Sequence, residues 1–356
     1  MALNADHYAI VIGIKGYSQL RPLKGAESDA VAFGRWVTSE EGGGVPLENY
    51  EIILSPTVNS NNPFDARPIQ LEIDAALTRF GIERNERLGK RLYFYFSGHG
   101  FGPEYNEVGM LLANASLTRL GYSLGLQPYR ELFRKMEAFD EVVFILDCCR
   151  DPNGGFTTLK PPFHLPGRSD ETKFQDLVVL GARYGEQSFQ PLDPEFKGTG
   201  ERRGLLTKAL IEGLTLPEAA DGLGRFTSSS LSYWVKQKVR ELAKDALVDQ
   251  TPNIDDTYLR ENIVFATIPD SKLERVKVSI VAPPGLAGTL LLLDSFGNEL
   301  ARQPAADAAP PDGWPVTLIR NRWYDLKLLP PKAGTKPNII DLTGVNADTH
   351  VYEFKP

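Results

Sequence analysis

Leu92-Tyr93-Phe94-Tyr95-Phe96-Ser97-Gly98-His99-Gly100 and Val142-Val143-Phe144-Ile145-Leu146-Asp147-Cys148-Cys149-Arg150 are the two stretches on which the reading of this 356-residue chain turns. Each opens on an unbroken apolar or aromatic run, the pattern of a strand buried on both faces of a sheet. Each then breaks into residues that carry chemistry. Sites in open α/β sheets are built at the carboxyl ends of parallel strands, so His99 and Cys149 are expected at one sheet edge.

Outward from these runs, short apolar segments alternate with amphipathic ones, as in a sheet with helices on its faces. Tyr8 to Ile14, Glu51 to Leu54 and Leu177 to Leu180 read as further strands. Helical spacing is expected over 26–37, 69–80, 127–138, 204–214 and 229–247. The stretch from Asp151 to Lys173 is too rich in Gly, Pro and polar residues to be an element. The character changes at Ile268-Pro269, beyond which only short alternating bursts occur: 276–281, 289–293, 316–319, 324–329 and 351–354. That pattern predicts a small all-β sandwich over 268–356, in which Trp314, Trp323 and Tyr324 belong to the core.

The formal net charge of -7, with no dense Lys/Arg stripe, excludes a nucleic-acid ligand and an anionic membrane surface. No basic segment followed by a long apolar one opens the chain, and the run from Thr289 to Leu293 is far too short for a bilayer. Cys148 and Cys149 are the two cysteines, adjacent and so unsuited to an unstrained disulfide; a reducing cytoplasm fits. His7, His99, His164 and His350 are too scattered to suggest a Cys/His zinc site, and no metal is expected.

A thiol is a poor nucleophile until it loses its proton, and an imidazole can take that proton and return it to a leaving amine. The glycines beside His99 permit sharp turns and close approach of a substrate carbonyl. The amides of Gly100 and Cys149 are candidates for an oxyanion hole. Taken singly, Ser97-Gly98-His99-Gly100 is a strand-ending turn, and Cys148-Cys149 is a pair of small core residues. Their order and spacing decide otherwise.

Ser97-Gly98-His99-Gly100 followed by Asp147-Cys148-Cys149-Arg150 resembles the caspase/metacaspase superfamily, in which a histidine precedes the reactive cysteine by about 50 residues. Three further segments are similar to that family: Gly13-Ile14 with 23–30, Gly204 to Leu210, and Gln250-Thr251-Pro252. The resemblance implies a caspase-like three-layer sandwich over 1–267, with a large-subunit-like region over 1–150, a linker over 151–174 and a small-subunit-like region over 175–267. It implies a cysteine endopeptidase working as a dyad. The D-x-C pattern selects Cys149 as nucleophile and His99 as its partner, leaving Cys148 to pack inward.

Asp29, Ser97 and Asp147 match the positions that build the acidic S1 pocket of metacaspases, which implies cleavage after Arg or Lys and not after Asp. Lys160, Arg168 and Lys173 lie where family members are cut between subunits, and so are candidates for self-cleavage. The family needs no cofactor. Ca²⁺ activates many of its members, with Asp255 and Asp256 as acidic candidates, although a solvated turn is the simpler reading. Protein substrates, an activating protein partner, and a place in signalling, cell death or antiviral defence are also implied. The rival class is a catalytically silent caspase-like module that docks partners through its β domain.

Overall fold

A computed structural model of the chain describes residues 4–56, 59–84, 86–163, 174–192, 202–331 and 337–356. Two compact units emerge, one of residues 1–212 with 234–262 and one of 213–233 with 263–356.

The first unit contains β1 (His7–Gly13), α1 (Ala26–Thr38), β2 (Tyr50–Leu54), α2 (Gln70–Phe80) and β3 (Gly89–Ser97). Three short strands follow, β4 (Gly100–Phe101), β5 (Gly109–Leu111) and β6 (Ser123–Gly125), then α3 (Leu126–Met136), β7 (Phe139–Asp147) and β8 (Gln175–Leu180). α4 (Leu205–Thr215) comes next, then, past β9 (Arg225–Thr227) of the second unit, α5 (Ser228–Asp245) and β10 (Asn253–Asp255). The central sheet runs β10-β8-β7-β3-β1-β2. β10 is antiparallel to β8, and the other pairings are parallel. From β1 the chain moves out to β2 and returns to β3 on the other side of β1. The junction of β1 and β3 is therefore a topological switch point, with the loop 14–25 leaving β1 beside it.

Successive side chains of a strand point to opposite faces, and β3 uses the rule to sort its aromatics. Tyr93 and Tyr95 turn towards α1, where Phe33 stacks on Tyr95 at 4.5 Å and Trp36 meets Tyr93 edge-on at 5.8 Å. Leu92, Phe94 and Phe96 turn the other way, into a core with Leu77 of α2 and Phe133 of α3. Phe94, Phe96 and Phe144 are wholly buried, each worth roughly 1.5–3 kcal/mol. The tyrosine face carries the polar partners. Arg91 donates to Glu141 at 2.6 Å and to the Tyr93 hydroxyl at 2.9 Å, and Tyr95 shares a 2.6 Å hydrogen bond with Thr207 of α4. Helices on both faces of a mostly parallel sheet make the predicted three-layer sandwich.

His7 begins β1 in a buried position, and burial reinforced by the Arg91 cation pushes its pKa down to about 4. The unfolded chain binds that proton more tightly. The contribution of His7 to stability is therefore complete above pH 6.5 and is lost as the pH falls towards 4. The loss amounts to ~3 kcal/mol, read as a falling urea midpoint. His7→Phe, which keeps a ring beside Tyr93, should flatten that limb.

The second unit holds β9, with which β11 (Val264–Thr267) pairs in a two-stranded ribbon. β12 (Arg275–Val281), β13 (Thr289–Asp294), β14 (Glu299–Pro304), β15 (Trp314–Ile319), β16 (Trp323–Leu329), β17 (Asn338–Asp341) and β18 (Thr349–Glu353) follow. They form two sheets, β15-β12-β18 and β14-β13-β16-β17, whose inner faces share a core containing Val278, Ile280, Leu290, Leu292, Leu326 and Leu328. This is a β-sandwich. The Tyr324 hydroxyl accepts from the Ile319 amide and donates to the Ile319 carbonyl, both at 2.9 Å, and locks the corner between β15 and β16. Arg322 donates to the carbonyls of Pro217, Ala220 and Asp221, tying 217–221 to the sandwich. Trp314 and Tyr324 are core residues, but Trp323 is 41% exposed, because the alternation along β16 turns it outwards when Tyr324 turns in.

Candidate active site

β3 and β7 pair in parallel with Ser97 opposite Asp147, so His99 and Cys149 each stand two residues beyond a matched pair. The Gly98 amide continues the link by donating to the Asp147 carbonyl at 3.3 Å. Gly100 is glycine for a steric reason: a Cβ there would lie 2.6 Å from the Cys148 sulfur and 2.8 Å from the Cys149 carbonyl oxygen. The two chain segments approach too closely for any side chain between them.

The imidazole is held from the switch-point loop. Its Nε2 lies 2.7 Å from the Arg21 carbonyl oxygen, its amide donates to the Tyr17 hydroxyl at 2.7 Å, and its ring lies 4.8 Å from that of Tyr17. A carbonyl only accepts, so Nε2 carries a hydrogen, and in the neutral ring Nδ1 keeps its lone pair. Burial lowers the pKa of His99 and favours that neutral form.

Cys149 is half-buried, and its thiol is pushed up to about 11, chiefly by burial and further by the Asp151 and Asp147 charges. Its sulfur accepts from the Ser188 amide at 3.3 Å and faces the Ser188 carbonyl at 3.7 Å. No hydrogen bond joins the thiol to the imidazole among the described residues. Both groups rest neutral, with Nδ1 able to take a proton. Cys148 is buried in the hydrophobic core, where its thiol is held well above the usual range.

Asp29, Ser97 and Asp147 are brought together. The Ser97 hydroxyl donates to Asp29 Oδ2 at 3.3 Å. A Cβ on Gly204 would collide with Asp147 Oδ2 and stand 3.0 Å from Asp29 Oδ2. Asp147 accepts the Ser188 hydroxyl at 2.6 Å, the Thr207 hydroxyl at 2.7 Å and the Thr207 amide at 3.0 Å. Asp29 accepts the Gly204 amide at 3.0 Å and the Gln190 side-chain amide at 3.4 Å, with the Arg203 guanidinium at 3.8 Å. Both carboxyls are buried in this state, 0% and 2% exposed, and burial raises the pKa of each; the neighbouring Asp147 charge raises Asp29 further.

Among the remaining candidates, Lys160 is exposed; its carbonyl accepts from Gln70 at 2.6 Å and it precedes Pro161. Arg168 and Lys173 lie outside the described residues. Asp255 pairs with Arg130 at 2.9 Å, and among the described residues no group of three or more His, Cys, Asp or Glu side chains is placed to hold a metal. None of the described helices is long and apolar enough to cross a membrane. Tyr17, Arg21, Ser188 and Gln190 are site residues that sequence reasoning missed. Thr207 lay inside a recognised segment, Gly204 to Leu210, but without a role.

A thiol and an imidazole on neighbouring strand ends, above a six-stranded and mostly parallel sheet, define a caspase-like architecture. A family model described as the caspase domain matches residues 6–263, and the chain belongs to that peptidase family. A probable protease of a Desulfuromonadales bacterium is 29% identical over 217 residues, covering 59% of this chain and 26% of the relative. The chain thus spans about a quarter of that relative's length. The crystal structure of caspase-1 from Spodoptera frugiperda aligns with 76% of this chain and 93% of its own, at 16% identity and a TM-score of 0.44.

Proposed function

We propose that the chain is a cysteine endopeptidase that cuts protein substrates after Arg or Lys. The observation that carries this reading is the matched register of Ser97 and Asp147, with Nε2 of His99 committed to a carbonyl and Nδ1 left as base. The Cys149 proton passes to Nδ1, and the thiolate attacks the scissile carbonyl carbon. The amides of Gly100 and Cys149 receive the oxyanion; the Cys149 amide has no other partner among the described residues. The imidazolium returns its proton to the leaving amine, and a thioester remains. Water, relieved of a proton by the same imidazole, hydrolyses it and restores the thiol.

The carboxyls of Asp29 and Asp147 support a basic P1. A guanidinium, that of Arg203, already stands beside Asp29, and the Ser97 and Gln190 hydrogen bonds to Asp29 are long and readily exchanged. Self-cleavage fits Arg168 or Lys173 better than Lys160, whose following bond is a stiff prolyl amide. The resting contacts of Ser188 with the Cys149 sulfur fit an enzyme switched on by a partner in a signalling or defence system.

The test is a fluorogenic peptide library varied at P1, run beside a thiol-directed probe with Arg at P1. Arg- and Lys-P1 peptides should be cut and the probe should map to Cys149. Faster cleavage of Asp-P1 peptides would remove the pocket assignment. No cleavage and no labelling would favour the silent interaction module.

A further inference from the structure

We propose that Tyr17 is a positioning residue for His99, clamping its backbone so that Nδ1 is aimed at the nucleophile. The inference rests on the Cys149–His99 reading above. Tyr17 is buried, its hydroxyl accepts the His99 amide hydrogen at 2.7 Å, and it reaches the Leu111 carbonyl at 3.5 Å. The Leu111 amide in turn donates to the His99 carbonyl at 3.0 Å. One peptide unit on each side of His99 is thereby fixed to β5 and to Tyr17.

The ring of Tyr17 does a second job, lying 4.8 Å from the imidazole at 56° and walling one side of it. The space for the hydroxyl is made by glycine, since a Cβ on Gly98 would sit 2.7 Å from it. Tyr17 and Arg21 belong to one short loop. The Leu23 amide closes it on the Lys15 carbonyl at 2.9 Å, and the Ser18 amide pins it to the Ala113 carbonyl at 2.9 Å. The loop therefore holds His99 at two points, the main-chain amide through Tyr17 and the ring Nε2 through the Arg21 carbonyl. Two fixed points and a wall leave the ring little freedom to swing. A catalytic group displaced by about 1 Å loses a large part of its rate, so the hydroxyl has leverage without touching substrate.

The experiment compares Tyr17→Phe, which keeps the ring and removes the hydroxyl, with the wild-type chain and with His99→Ala. Cys149 alkylation by iodoacetamide at neutral pH is measured in each, together with kcat and KM on an Arg-P1 peptide. The expected result is alkylation faster in wild type than in His99→Ala, with Tyr17→Phe losing most of that difference. kcat should fall on the order of 10-fold with KM little changed. Long-range proton–nitrogen spectra should show His99 as one Nε2–H tautomer in wild type and as a mixture in the variant. Tyr17→Phe alkylating at the wild-type rate and keeping one tautomer would overturn the proposal. Equal rates in wild type and His99→Ala would overturn the dyad itself, and the positioning role with it. If Tyr17→Phe does not fold, 3,5-difluorotyrosine at the same position keeps the ring, weakens the acceptor and is expected to shift both readouts in the same direction.

Discussion

Cys149→Ala is expected to abolish hydrolysis of an Arg-P1 peptide, with a fall in kcat on the order of 10⁶-fold, while Cys148→Ala leaves kcat almost unchanged. The contrast between adjacent thiols follows from their surroundings. Cys148 lies in the core beneath Gly100, where no substrate atom can reach it, and its loss costs only packing, roughly 1 kcal/mol of stability. Cys149 lies beyond the strand end, in contact with the main chain of Ser188. Its thiol is too basic, at about 11, to ionise unaided at neutral pH, so the imidazole must supply the driving force. His99→Ala should then cost about 10²–10⁴-fold in kcat. Initial rates and thermal melts on the three variants separate catalysis from folding.

Asp29→Asn is expected to lower kcat/KM for an Arg-P1 peptide on the order of 10²-fold while hardly changing that for a citrulline-P1 peptide, the neutral isostere. The amide can still accept from the Gly204 amide and exchange a hydrogen bond with Ser97, while the Gln190 side-chain amide must turn over and Arg203 loses its counter-charge, so the main loss is the charge. Asp147→Asn should lose the same discrimination and destabilise the chain as well. Its carboxyl accepts hydrogen bonds from both the hydroxyl and the amide of Thr207 and from the Ser188 hydroxyl, and an amide nitrogen must face one of those donors. Parallel rates on both peptides, with urea midpoints, give the two effects separately. Equal losses on Arg and citrulline peptides would assign the carboxyls to structure.

The sheet was legible because its strands are apolar on both faces. β3 and β7 reveal themselves as uninterrupted runs, and only their ends extend further than expected, to Gly89 and Phe139. Elements with neither that signature nor a clear alternation were missed. β14 and β17 are short and polar, Glu299–Pro304 and Asn338–Asp341, and β10 is a three-residue edge strand. β4, β5 and β6 are too short for any period to show.

The pairing of His99 and Cys149 at neighbouring strand ends followed from two local motifs. Their partners did not. The Tyr17 hydroxyl and the Arg21 carbonyl come from a loop 78 to 82 residues earlier, and a main-chain oxygen leaves no trace in residue identity. Ser188 lies 39 residues after Cys149 in an irregular segment, and nothing in its neighbours distinguishes its hydroxyl from that of any surface serine.

The pairs Arg91–Glu141 and Ser97–Asp147 mark the two ends of one length of ladder, on the same face of β3 and β7. Together they make that length a ruler. Slipping one strand by a single residue would turn the buried guanidinium onto the phenylalanine face and carry the strand end out of step with its neighbour. Loops around this sheet can lengthen at little cost, because closure entropy grows slowly with length. One residue gained or lost between Arg91 and Ser97, or between Glu141 and Asp147, would have to be taken up as a bulge inside the buried ladder or would break that match. The distance from ion pair to motif is thus metered by residue count.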